Sequence, residues 1–168
     1  MKTMIIGFSG SGKSTLAKAI GEKQGAPVLH LDKVHWLPGW CEREREEELK
    51  ILGGFLDENE SWVIDGNYNS LWFERRLKEA DKIIFMDFNR FLCLSRAIKR
   101  RLEYSGKSRF SMTEGCPEKI DFEFLKWLLL DGRAKKRRRR FLQAVAEYPE
   151  KSVVIKNQKQ LDKFYETV

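Results

Sequence analysis

Residues 7–14 constrain this chain more than any other segment: Gly7-Phe8-Ser9-Gly10-Ser11-Gly12-Lys13-Ser14 has the form G-x-x-x-x-G-K-[ST]. Such an octet is a phosphate-binding loop, and each fixed position has a physical task. Gly7, Gly10 and Gly12 let backbone amides approach phosphate oxygens closely, with Ser9, Ser11 and Thr15 completing the cradle. Lys13 sets a cation against the β- and γ-phosphates, and the Ser14 hydroxyl is placed to ligate Mg²⁺. The flanks agree. Met4-Ile5-Ile6 suits a buried strand, and the residues after Ser14 begin a helical pattern, so the loop sits where a helix N-terminus adds partial positive charge. The chain is expected to bind a nucleoside triphosphate.

A length of 168 residues suits one domain, residues 1–168, with a sizeable core. No apolar run approaches the roughly 20 residues of a membrane span. The N-terminus enters a strand directly, so no secretory leader is expected. Cys41, Cys93 and Cys116 are odd in number and far apart, as free thiols in a reducing cytoplasm would be. The formal net charge is +7, but it is unevenly spread. Residues 42–48 are acidic on balance, whereas residues 133–140 read Arg-Ala-Lys-Lys-Arg-Arg-Arg-Arg. A basic block of that kind suits nucleic-acid phosphates or those of a small nucleotide in a cleft.

Strand patterns at 3–7, 27–32, 62–65, 82–87 and 152–156 alternate with helical patterns at 13–24, 42–56, 70–79, 91–103, 122–147 and 158–166. The strands are continuous apolar runs, as strands covered on both faces should be. This alternation predicts a doubly wound α/β fold with a parallel sheet and ligands at the carboxyl ends of its strands. Residues 33–58 and 104–120 interrupt the pattern, and insertions at such places act as binding flaps or lids.

Asp32 and Asp65 end the second and third strand patterns and should emerge beside the phosphate loop. A carboxylate there can hold Mg²⁺ or accept a proton from an attacking hydroxyl; Asp32 is the candidate base and Asp65, with Ser14, the candidate metal ligand. Neither Asp65 nor Asp87 is followed by a water-activating glutamate: Gly66 and Phe88 stand there instead. No N-K-x-D element for guanine occurs. Transfer of phosphate to a bound acceptor is therefore expected rather than hydrolysis. In helix 91–103, Leu94, Ile98 and Leu102 form a stripe expected to face the core, which would send Arg96 and Arg100 together toward the ligand. Lys107 and Arg109 follow in the insertion. Arg133, Arg137 and Arg140 are spaced to share one helix face, and guanidinium groups can bridge the charge of a phosphoryl-transfer transition state. His30 and His35 show no zinc spacing with a cysteine; His35, near Asp32, could touch an acceptor.

With these motifs in view, the chain resembles the adenylate-kinase-like P-loop kinases, and more closely the small bacterial DNA topology modulation proteins. The segments that carry the likeness are residues 7–15, His30 to Trp40, Trp62 to Tyr68, Glu114 to Glu118 and Lys156 to Leu161. The resemblance implies a P-loop nucleoside triphosphate hydrolase fold: a five-stranded parallel sheet flanked by helices, an acceptor-binding insertion at 33–58 and a lid at 104–120. It also implies ATP and Mg²⁺ as cofactors. Arg96 and Arg100 would contact the donor nucleotide, Arg133 and Arg137 would clamp phosphates, and Asn157 would lie near the adenine. Where adenylate kinases continue Asp-Gly with Phe-Pro-Arg, this chain has Asn67-Tyr68-Asn69, which speaks against AMP as acceptor. Two functions follow: an ATP- and Mg²⁺-dependent kinase in which Lys13, Asp32, Arg96 and Arg133 act on an unidentified small acceptor, or a nucleotide-regulated DNA-binding protein using the basic helix.

Overall fold

Met4, Ile5 and Ile6 are wholly shielded from solvent in the computed structural model, which describes residues 1–167, because their strand is covered by helices on both faces. The elements run β1 (Lys2–Gly7), α1 (Lys13–Gln24), β2 (Val28–His30), α2 (Leu31–His35), β3 (Trp36–Leu37), β4 (Cys41–Glu42), α3 (Arg45–Glu58), β5 (Trp62–Asp65), α4 (Phe73–Glu79), β6 (Lys82–Met86), α5 (Arg90–Glu103), α6 (Phe122–Leu129), α7 (Lys135–Glu147), β7 (Ser152–Ile155) and α8 (Gln158–Thr167). Five strands form one sheet in the order β2-β5-β1-β6-β7, every pair parallel. Side chains alternate across it. Met4, Ile6, Ile64 and Phe85 pack on the side of α3, α4 and α7, while Ile5, Val63, Ile84 and Met86 pack on the side of α1, α5 and α8. This is the P-loop nucleoside triphosphate hydrolase architecture. No described helix is long and apolar enough to cross a membrane.

The register sets the site. Asp65 lies opposite both Ile5 and His30, so β5 and β2 end level with each other, two residues before β1 passes into the phosphate loop at Gly7.

Four sequence expectations change. The second strand stops at His30 rather than Asp32, because Leu31 and Val34 are both buried and their spacing winds the chain into the single turn α2. Asp32 therefore projects from a helical turn. Second, residues 36–42 form a small antiparallel hairpin, β3–β4, and α3 begins only at Arg45; Arg43 N–H donates to the His35 carbonyl at 2.8 Å to close the hairpin base. Third, the helix expected over 122–147 breaks at residues 130–134. Gly132 lies so close to α6 that a Cβ would meet the Trp127 carbonyl oxygen at 2.7 Å. Arg133 therefore sits in a 3₁₀ turn and does not share the α7 face of Arg137 and Arg140. Fourth, Ile98 and Leu102 on α5 are exposed, and the buried stripe is Cys93 and Ala97. Small residues are required there because α5 crosses directly over the phosphate loop.

Candidate active site

Glycine at position 10 explains that crossing. Its φ is +76°, and a Cβ would come within 2.4 Å of the Cys93 carbonyl oxygen, so only glycine lets α5 lie on the loop. Gly12, at φ +97°, turns the chain into α1, whose free N–H groups point toward the cleft. Asn67 braces the start of the loop from β5: Gly7 N–H donates to Asn67 Oδ1 at 3.0 Å, and Asn67 Nδ2 donates to the Gly7 carbonyl at 2.6 Å. Asn67, which follows Asp65-Gly66, thus holds the loop itself.

A cleft of about 1360 Å³ opens at this edge, lined on one side by Ser9, Gly10, Gly12, Lys13, Ser14 and Thr15. Lys13 Nζ donates to the Phe8 carbonyl at 3.1 Å. Burial lowers the Lys13 pKa, while the Asp65 and Asp32 carboxylates work to raise it. Ser11 is not part of this lining: its side chain is fully buried, and its carbonyl accepts from Arg96 Nη1 at 2.6 Å. Arg96 also stacks 4.4 Å over Phe88 and reaches Gln158 Oε1, tying the loop to α8. Asn157 caps α8, its Oδ1 accepting from Gln160 N–H at 2.9 Å; Gln158, Leu161 and Tyr165 line the cleft beside it.

Asp65 is nearly buried, and its Oδ2 lies 3.0 Å from His30 Nδ1. Burial would raise its pKa, but the His30 hydrogen bond, the Lys13 charge and the Ser14 hydroxyl together hold it below the ordinary aspartate value. Ser14 and an ionised Asp65 side by side make a hard oxygen donor set that suits Mg²⁺. A carboxyl with a depressed folded pKa stabilises the fold above its unfolded value, about pH 4, and loses this contribution as the pH falls through the folded pKa. Asp65→Asn is therefore expected to flatten the acid limb of stability. The urea midpoint should fall less steeply than in the wild type below about pH 4; an unchanged slope would contradict the assignment.

Asp32 faces the same cleft from α2 and is one-third exposed. Tyr68 Oη donates to its Oδ1 at 2.9 Å, and Arg109 Nη2, from the 104–120 segment, donates to Oδ2 at 2.8 Å. Burial first, and then the Asp32 charge, push the Tyr68 hydroxyl pKa far up, so it remains a donor. Arg109 Nε also lies 3.3 Å from Glu118 Oε1, and Arg100 Nε donates to Glu118 Oε2 at 3.0 Å. Burial lowers the Arg100 pKa, partly offset by Glu118. An unbroken chain of Tyr68, Asp32, Arg109, Glu118 and Arg100 thus spans the cleft.

The two insertions clasp each other above it. Gly39 N–H donates to the Gly115 carbonyl at 3.0 Å, Thr113 Oγ1 donates to the Trp36 carbonyl at 2.5 Å, and the Cys116 thiol donates to the Leu37 carbonyl at 3.2 Å.

The structure brings Lys13, Ser14, Asp32, Asp65, Arg96, Arg100 and Arg137 to one cleft. Arg133 is placed otherwise. It lies 4.2 Å over the Phe8 ring and donates to the Leu128 and Phe88 carbonyls and the Cys93 sulfur, holding α6 against the back of the loop. The basic run also divides. Arg138 pairs with Asp87, Arg140 pairs with Glu74, and Arg137 stacks over Trp127. Tyr68, Glu118 and His30 lie within segments that the sequence singles out, but nothing local announces their contacts: Tyr68 meets Asp32 36 residues away, His30 meets Asp65 35 residues away, and Glu118 meets Arg100 on α5 and Arg109 in the 104–120 segment.

No protein-family model matches the chain. The uncharacterized protein YqaC of Bacillus subtilis (strain 168) is 28% identical over 127 residues, covering 75% of this chain and 70% of that protein. Among solved structures, deoxyadenosine kinase from M. mycoides with bound dATP superposes over 99% of this chain and 98% of its own, with a TM-score of 0.55 and 16% identity. The same kinase with bound dCTP gives a TM-score of 0.51 and 16% identity, again over 99% and 98% of the two chains. At these identities the likeness establishes the fold.

Proposed function

We propose that this chain is an ATP- and Mg²⁺-dependent phosphotransferase that moves the γ-phosphate to a hydroxyl of a small acceptor. The observation that carries this is the opposition, in one cleft, of the phosphate loop with Lys13 and the Asp32 carboxylate under the Arg109 lid. The likeness to a kinase whose structure holds bound dATP supports nucleotide binding on this fold.

In this scheme the acceptor hydroxyl sits against Asp32, which takes its proton as the oxygen attacks the γ-phosphorus. The bond from that phosphorus to the β–γ bridging oxygen breaks, its electrons pass to the β-phosphate, and ADP leaves. Tyr68 and Arg109 fix the orientation of Asp32. Lys13, Arg96, Arg100 and Arg137 offer cations to the phosphates, and Arg133 holds the loop from behind. When bound at Ser14 and Asp65, Mg²⁺ would neutralise charge on the β- and γ-phosphates. Gly66 follows Asp65, so no carboxylate stands next to it to activate water.

ADP release from ATP alone should be slow and should rise at least about tenfold with the right acceptor; one unchanging rate across a broad acceptor panel would refute transfer. Asp32→Asn should lower kcat by about a hundredfold, with ATP affinity changed less than about twofold. Retained turnover in that variant would remove Asp32 from the role of base.

A further inference from the structure

The acceptor side of the cleft is built differently from the donor side. His35, Trp36, Trp40 and Tyr68 form a continuous aromatic wall: ring centroids are 4.6 Å apart for His35–Trp36, 4.8 Å for His35–Tyr68 and 5.4 Å for Trp36–Trp40. The His35 ring is fixed from behind, its Nδ1 lying 2.6 Å from the buried Glu48 carboxylate. Two further cleft-lining residues hold polar atoms that are buried without partners, Trp40 Nε1 and Ser111 Oγ. Buried polar atoms without partners are uncommon.

The wall's own cleft-lining charges, Asp32 and Glu42, are both acidic. Asp32, Glu42 and Glu118 all line the cleft. The nearby cations are engaged: Arg109 lies between Asp32 and Glu118, Arg100 donates to Glu118, Arg43 donates to the Val34 carbonyl and to Glu47, and Arg45 donates to the Ser70 carbonyl. Lys119 rests 5.2 Å over the Trp40 ring. Arg137 and Arg140 enter from α7 over Trp127 and Phe73 rather than from this wall. A phosphate arriving on the acceptor would meet carboxylates, and like charges brought together without compensation are strongly disfavoured. A neutral ring would find π-faces and hydrogen-bonding edges.

We propose that the acceptor is an alcohol carried by an uncharged planar ring, nucleoside-like and not yet phosphorylated, selected by the wall from Asp32 to Glu42. This rests on the phosphotransfer function proposed above. Trp36 and Trp40 supply the ring-binding faces, and Asp32 and Glu42 on the same wall disfavour monophosphates.

The test is calorimetric binding to the intact chain of adenosine, cytidine and thymidine, their 5′-monophosphates, and myo-inositol, beside ADP and product assays on the same panel. At least one nucleoside should bind about tenfold or more tightly than its own monophosphate, and Trp36→Leu should weaken it about tenfold. Glu42→Lys, on an exposed side chain that tolerates change, should narrow the gap between nucleoside and monophosphate several-fold. Tighter binding of the monophosphates, preference for inositol, or no binding by any probe would each overturn the proposal. The two ideas separate cleanly. Nucleoside binding without ADP formation would remove phosphotransfer and leave the selection of a ring intact, whereas transfer to a monophosphate or to inositol would do the reverse.

Discussion

Replacing Lys13 with methionine is expected to lower turnover about a thousandfold or more while the protein stays folded. Its ammonium group is the cation set deepest in the phosphate loop, and burial there already lowers its pKa against the pull of Asp65 and Asp32. The Phe8 carbonyl holds it at 3.1 Å, a bond that phosphate oxygens can replace at little structural cost. Methionine keeps the length and apolar stem and removes only the charge. The loss should therefore appear in kcat with a native circular dichroism spectrum. Turnover within about tenfold of wild type would show that charge at this point does not stabilise the transferring phosphate.

The second large effect concerns stability. Arg76 on α4 is wholly buried and has no carboxylate partner among the described residues. Its guanidinium donates instead to three carbonyls of the preceding loop: Nε to Leu71 at 2.8 Å, Nη1 to Gly66 at 3.3 Å and Nη2 to Tyr68 at 2.6 Å. Burial, helped by the Arg140 charge, brings its pKa down to about 9, so it remains charged at neutral pH. Arg76→Met would relieve the buried charge but leave three carbonyls without a donor. Stranded buried acceptors cost about 1–3 kcal/mol each, which outweighs the relief. A net loss of about 2–4 kcal/mol is expected, seen as a Tm lower by roughly 5–15 °C. Since the same loop carries Asn67 and Tyr68, activity should fall further than the population of folded protein does. A Tm within about 2 °C of wild type would mean that the loop satisfies itself without the arginine.

These effects also mark what a sequence can and cannot reveal. The strands at 62–65 and 82–86 are legible because an apolar run buried on both faces has few other uses, and the phosphate loop because glycine, lysine and serine are fixed in one short stretch. Asp65 follows from where its strand ends, whereas Asp32 reaches the same cleft from the turn α2 that follows β2. Arg109 is visible only as a charge in an insertion; its engagement with Asp32 spans 77 residues and depends on how the lid folds back. Tyr68 is hidden for the same reason. The α5 stripe misleads because helical periodicity reports one apolar face, while the tight crossing over Gly10 selects the small residues Cys93 and Ala97 instead. The break before α7 depends on Gly132 closing against Trp127, a contact that no local pattern announces.

The bond from Gly39 to Gly115 has a use of its own. It joins two surface insertions far apart in sequence, outside the cooperative ladder of the sheet, so its N–H can be released without unfolding the strands. Hydrogen–deuterium exchange at that single amide is thus a clock for cleft opening: its protection factor counts how often the roof lifts, and the shift on adding nucleotide gives the free energy by which a ligand holds it shut.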